Sequence, residues 1–221
     1  MDFSKFVLAA VVDDLQRVEQ AGIADAVEFR MDRAHEPLSQ LEAYSSKIPI
    51  IATNRRREEG GDAAGEERLH TLATATAQAA VGAVDIELAS VQAGEADEVI
   101  SSCEDSGTSL IVSWHEFEET PDETVLERQL RAACGRGTVG KAAVMAHDVS
   151  DVLTLLEVTH KLASEGLNVA TMSMGNSGRH SRILAPLYGS RIGYAPIDSA
   201  DKTAPGQYEL HEMASLIDSL R

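Results

Sequence analysis

The sequence predicts an α/β fold, a single-domain (β/α)8 (TIM) barrel over residues 1–221, and three observations predict it. Short β-branched runs alternate with longer amphipathic stretches along the chain, the pattern of βα units rather than of separate all-β and all-α parts. Eight such units can be counted, and eight is the number that closes a parallel sheet on itself. In 221 residues they average about 28 residues each, close to the least that a strand, a turn, a helix and a return require. An open doubly wound sheet is the alternative, because periodicity does not report closure.

The first predicted strand is Phe6–Val12, followed by DDLQRVEQAG, which puts Leu15 and Val18 on one helix face and stops at Gly22. Strands two to four are Ala26–Phe29, Ile48–Thr53 and Val84–Leu88, the last followed by the helical GEADEVISSCEDSG. Strand five, Ser109–Ser113, leads through Pro121, suited to a helix start, into DETVLERQLRAAC. Strand six, Thr138–Met145, precedes DVSDVLTLLEVTHKLASEG, in which Val152, Leu155, Leu156 and Leu162 form a helical stripe. Strands seven and eight are Asn168–Met172 and Ile192–Ile197.

Composition narrows the function. The 36 acidic and 19 basic residues give a net charge of −17, which repels nucleic acid and anionic membrane. No apolar run approaches the ~20 residues that cross a bilayer, and the N-terminus lacks signal-peptide features, so a cytoplasmic protein is expected. Cys103 and Cys134 have no pairing or metal-ligand spacing, and two free thiols are expected. So acidic a surface fits a halophilic cytoplasm, where molar salt shortens the Debye length to ~3 Å; an ordinary acidic mesophile protein is the alternative.

Gly135 to Ala142, GRGTVGKA, satisfies G-x-G-x-x-G and nearly a phosphate loop. Both motifs need a strand before the glycines and a helix after them, and here the order is reversed, so no nucleotide site is expected. Lys141 is the better clue, the only lysine inside a predicted strand. A barrel strand is covered on both faces, so its ammonium loses water; desolvation and nearby arginines would lower its pKa toward a nucleophilic amine. A lysine snorkelling to the barrel end is the bland alternative. His115 ends strand five, at the edge where barrel chemistry is done, and an imidazole can take and return a proton near neutral pH. Glu28 and Arg30 in EFRMD share one strand face with Phe29 opposite; TNRRREEGG adds Arg55 and Glu59, and SMGNSGRHSR adds Arg182. Arginine suits bidentate grip on a substrate carboxylate. The other histidines, His35, His70, His147, His160, His180 and His211, show no metal-ligand spacing, and no metal is expected.

EFRMD, TNRRREEGG, VDIELAS, SWHEFEETP, GKAAVMA, SMGNSGRHSR, YGS and TAPGQ, in this order, resemble the type I 3-dehydroquinate dehydratases along the whole chain. The resemblance implies a cofactor-free syn elimination of water from 3-dehydroquinate through a Schiff base on Lys141, in the shikimate pathway of aromatic amino acid biosynthesis. By the same resemblance His115 moves the proton, Glu59 orients it and favours its imidazolium, Arg182 binds the carboxylate, Glu28, Arg30 and Arg55 address the ring hydroxyls, and Gln207 closes the site. Thr203 stands where the motif usually has serine and keeps the hydroxyl; Arg56 replaces Arg55 if the register slips. Gly60, Gly61 and Gly65, and Pro205 and Gly206, mark two candidate lids. A homodimer is implied too. Another Schiff-base barrel lyase or aldolase, or a ligand-binding homologue without activity, are the competing readings.

Overall fold

The computed structural model describes residues 1–65, 67–198 and 206–220. At its centre are β1 (Val7–Val12), β2 (Ala26–Arg30), β3 (Ile50–Thr53), β4 (Val81–Glu87), β5 (Ser109–Glu116), β6 (Val139–Met145), β7 (Val169–Met174) and β8 (Ile192–Pro196). All eight expected strands form. They run parallel in the order β7-β6-β5-β4-β3-β2-β1-β8. At the seam, an isolated bridge joins Val169 to Ser190 and the Arg191 N–H donates to the Val169 carbonyl at 2.7 Å. The sheet is thus a nearly closed barrel rather than an open doubly wound sheet.

Helices wrap it: α1 (Pro37–Ala43), α2 (Glu67–Ala75), α3 (Leu88–Gln92), α4 (Asp97–Ser106), α5 (Glu123–Cys134), α6 (Val149–Ser164), α7 (Gly175–Gly178), α8 (Ser181–Leu184) and α9 (Leu210–Ser219). The α6 stripe is buried as expected, and Asp148 and Asp151 form a capping box at its start. The first crossover differs: Leu15–Ala21 is a 3-10 helix. Its buried residues, Leu15, Val18 and Ala21, recur every third position, the period of a 3-10 turn.

Side chains alternate along each strand, so the barrel has two cores. Phe29, Val84, Ile86 and Val112 pack outward against the helices. Val7, Ala9, Ala26, Ile51, Ala83, Ile111, Val139, Ala170 and Ile192 fill the lumen, with Phe3 beneath them. Above this apolar plug the inward positions turn polar: Glu28, Arg30, Thr53, Asp85, Glu87, Ser113 and Lys141, all buried. Chemistry-bearing groups therefore collect at the C-terminal ends of the strands. Strand β5 runs three residues past its apolar pattern, with Trp114, His115 and Glu116 opposite Ala142, Ala143 and Val144, so His115 belongs to the strand itself.

Candidate active site

Lys141 sits in the middle of β6, flanked by Gly140 and Ala142, and only 5% of it is exposed. Its Nζ donates to Asp85 Oδ2 at 2.8 Å and lies 4.3 Å from the centroid of the Tyr194 ring. A carboxylate is therefore the group against the amine, whereas the sequence suggested arginines there. Arg55 comes next: its Nη2 donates to Asp85 Oδ1 at 2.7 Å, and its Nη1 to Glu87 Oε1 at 3.0 Å and Ser113 Oγ at 2.7 Å. Arg68, from α2, reaches Glu87 Oε2 at 2.9 Å. Two carboxylates thus bridge three cations inside the barrel wall and leave the network with one net positive charge. Burial alone would raise the Asp85 carboxyl, but Arg55 and Lys141 outweigh it and hold it well below the usual range. Burial likewise disfavours the Arg55 cation, and Asp85, Glu87 and Glu59 more than restore it.

His115 projects inward two residues above the level of Lys141, since Ser113 pairs with Lys141 and His115 with Ala143. Its Nδ1 lies 2.8 Å from Glu59 Oε2, and its ring stacks on Phe117. The resemblance led us to expect an imidazolium favoured by Glu59. Instead burial, then the positive charges of Arg55 and Lys141, push His115 well below its ordinary value, which favours the neutral ring. Burial also pushes the Glu59 carboxyl up to about 7. When Glu59 is ionised it can accept from Nδ1–H of a neutral imidazole, which leaves Nε2 to accept a proton.

Glu59 ends a one-turn 3-10 helix, Arg57–Glu59, closed by Gly60 at φ +79°. At Gly61 a Cβ would stand 1.9 Å from the Arg55 carbonyl oxygen, so only glycine lets this loop fold back on β3. Asp32 ties the loop down: Arg30 grips it with two hydrogen bonds of 2.9 and 2.8 Å, and it accepts from the Arg55 and Asp62 N–H groups. Glu28 accepts from Thr53 Oγ1 at 3.0 Å.

One cavity is lined by Glu28, Arg30, Arg55, Glu59, His115, Lys141, Met172, Met174, Arg182, Tyr194 and Gln207, among others. Every expected site residue among those described lines it. Arg56 does not: it pairs with Glu58 and faces a separate surface groove. Thr203, Lys202 and Pro205 lie outside the described residues. A larger groove of about 980 Å³ runs past Asp13, Glu19 and Ser39 outside the barrel; it holds no amine, and we place no chemistry there.

Arg182, on α8, is buried, and among the described residues its side chain has no ion-pair partner and its Nε no hydrogen-bond partner. Burial pushes the guanidinium down to about 10. A buried cation without a counter-ion is a receptor for an anionic group. Sequence reasoning missed Asp85, Glu87, Ser113 and Tyr194. The first two carried a signal: in VDIELAS the acids are two apart on one strand, which aims both at the lumen and demands cations beside them. Among the described residues no group of three or more His, Cys, Asp or Glu is placed to hold a metal ion.

Residues 7–221 match the profile of the type I 3-dehydroquinase family. The chain is 50% identical to the 3-dehydroquinate dehydratase of Haloarcula marismortui, over 100% of this chain and 99% of that one. It is 42% identical to that of Halobacterium salinarum, over the full length of both. Among solved structures, 3-dehydroquinate dehydratase from Geobacillus kaustophilus superposes with a TM-score of 0.86 at 27% identity, covering 98% of this chain and 91% of that one. The type I enzyme from Clostridium difficile, solved with covalent modified comenic acid, gives 0.84 at 25%, covering 98% and 92%. Both archaeal relatives are halophiles, in keeping with the acidic surface. This chain belongs to the type I 3-dehydroquinase family, a family of hydro-lyases.

Proposed function

We propose that the protein dehydrates 3-dehydroquinate to 3-dehydroshikimate through a Schiff base on Lys141, as a step of the shikimate pathway. The observation that carries this reading is the pairing, in one cavity, of a buried amine with a buried guanidinium that has no counter-ion among the described residues. The substrate carries both complements, a ketone for Lys141 and a carboxylate for Arg182. The Lys141 ammonium passes a proton to the neutral His115, the freed amine adds to carbon 3, and His115 returns that proton to the carbinolamine hydroxyl, which leaves as water and gives an iminium. This electron sink acidifies the carbon 2 proton, which the neutral His115 accepts. The enamine then expels the carbon 1 hydroxyl, which takes that proton from His115 and departs as water. Hydrolysis of the iminium frees the product and the lysine.

Glu59 holds His115 by Nδ1 and so fixes Nε2 as the working nitrogen. Glu28 and Arg30 address the ring hydroxyls, Gln207 closes the site from above, and the Thr203 hydroxyl is the further substrate-binding group that the family motif supplies. Arg55 adds the donors that Asp85, Glu87 and Ser113 leave over from its five N–H groups. The cytoplasmic location and the homodimer belong to this reading as well. Borohydride reduction in the presence of 3-dehydroquinate, followed by peptide mass spectrometry, is expected to find the adduct on Lys141, and the Lys141→Ala variant is expected to lose the near-ultraviolet rise of the enone. An adduct on Lys202, or undiminished turnover in Lys141→Ala, would overturn it.

A further inference from the structure

Four buried side-chain polar atoms have no hydrogen-bond partner among the described residues: Ser173 Oγ, Arg182 Nε, Arg191 Nε and Tyr194 Oη. Ser173 alternates with the cavity-lining Met172 and Met174 and so faces outward from β7, beside Ser181. Arg191 precedes β8 at the opposite end of the barrel and reaches the Ser4 carbonyl. Arg182 is matched by the substrate carboxylate. Tyr194 remains, and it lines the same cavity as Lys141.

Tyr194 lies on β8 between Gly193, whose missing Cβ accommodates Phe6 and Met213 on the outer side, and Ala195 in the outer core, so its ring points into the lumen. Only 4% of it is exposed, and Lys141 Nζ stands 4.3 Å from its ring centroid. A phenylalanine would fill the same volume and offer the same aromatic face to the ammonium. The hydroxyl adds only a buried donor without an acceptor, which costs about 1–3 kcal/mol unless a ligand supplies one. A carbon bonded to Nζ stays next to this ring, so the oxygen that it carries can be turned toward Oη. Among the described residues, Tyr194 Oη is the one buried neutral side-chain N or O atom lining this cavity that has no hydrogen-bond partner.

Resting on the Schiff-base reading, we propose that Tyr194 is a further catalytic residue, whose hydroxyl donates a hydrogen bond to the oxygen of the carbonyl that Lys141 attacks and to the alkoxide that forms there. As the N–C bond forms and the carbonyl π pair moves onto oxygen, the Oη–H bond strengthens its contact with the developing charge. The phenol keeps its proton. Burial, with Asp85 and Glu28 nearby, raises its pKa well above the ordinary value, so tyrosinate is strongly disfavoured. The proton that releases water from the carbinolamine therefore comes from another group, and in the reverse direction the same contact assists hydrolysis of the iminium.

The test is Tyr194→Phe, with adduct formation followed by rapid mixing with 3-dehydroquinate, quenching into borohydride and mass spectrometry of the Lys141 peptide. Adduct is expected to form more slowly by roughly 100-fold. Affinity for the 3-deoxy counterpart of the substrate, which lacks the ketone oxygen, is expected to match that of the unaltered protein by calorimetry. Adduct formation at the unaltered rate overturns the proposal, as does an equal loss of affinity for the 3-deoxy ligand, which marks a structural role. If the unaltered protein yields no Lys141 adduct at all, the Schiff-base reading fails instead, and the catalytic role of Tyr194 fails with it.

Discussion

At Arg182 the free protein carries a buried charge that no described residue neutralises, so stability and binding pull in opposite directions there. Replacing an uncompensated buried ion by an apolar side chain removes a desolvation penalty. Arg182→Leu is expected to stabilise the free protein by about 1–3 kcal/mol and to raise KM on the order of 100-fold, both read from urea unfolding and steady-state kinetics. A lower unfolding midpoint in this variant contradicts the account. The pair of Glu59 and His115 makes a second conflict, this time with pH. A carboxyl raised from 4.5 to about 7 binds its proton more tightly when folded, so its contribution is full below pH ~4.5 and is lost as pH rises through about 7. His115, depressed in the fold, contributes with the opposite sign, losing stability as pH falls below its unfolded value of 6.5. Comparison with Glu59→Gln isolates the first contribution: the stability difference between unaltered protein and variant is expected to fall by roughly 3 kcal/mol from pH 4 to pH 8. Parallel pH curves for the two proteins would show that Glu59 titrates normally.

At the scale of elements, the buried network is what joins wall to shell. Arg68 of α2 passes between the strands to Glu87 of β4, to the Asn54 carbonyl at 3.2 Å and to Ser90 Oγ at 2.7 Å. Arg68→Met leaves Glu87 with Arg55 as its one ion-pair partner and the Arg56 N–H as a second donor, and is expected to cost about 3–5 kcal/mol of unfolding free energy in urea titrations. A loss below about 1 kcal/mol would mean that the link is ornamental. The same elements show what was legible beforehand. All eight strands were, because a barrel strand is apolar on both faces and reads as a continuous run. The last residues of β5 were not, since Trp114, His115 and Glu116 keep the ladder with β6 without keeping the apolar pattern. In the candidate site, Lys141 stood out as the only lysine inside a predicted strand, and His115 and Arg182 as polar groups at or after strand ends, with Glu59 in a recognisable motif. Asp85 stayed unread although VDIELAS was in plain view, because its meaning depends on β6 standing two strands away across β5. Tyr194 carried no local signal: a lone aromatic in a strand reads as core, and only the orphaned hydroxyl beside Lys141 distinguishes it.

For the whole molecule the governing quantity is the charge of −17. The ion pairs of the barrel interior are nearly dry, with Asp85 and Lys141 exposing 0% and 6% of their side chains, so salt reaches them little. The outer surface is different. Glu95, Glu104, Asp105 and Glu119 are exposed and have no ion-pair partner among the described residues, and like-charged neighbours of this kind repel across distances that a dilute buffer does not screen. Unfolding moves these charges apart, so the repulsion favours the unfolded chain until ions shorten its range. Unfolding free energy is therefore expected to rise from ~0.1 M to molar KCl, where the Debye length falls from ~10 to ~3 Å. Salt also strengthens apolar burial in any protein, so the rise alone does not identify its cause. Glu95→Gln, Glu104→Gln, Asp105→Asn and Glu119→Gln together remove four charges and leave the apolar core untouched. If repulsion dominates, this variant is more stable than the unaltered protein in dilute buffer and the two converge at molar KCl. Curves that stay parallel across the whole salt range would assign the effect to burial and leave the acidic surface without a role in stability.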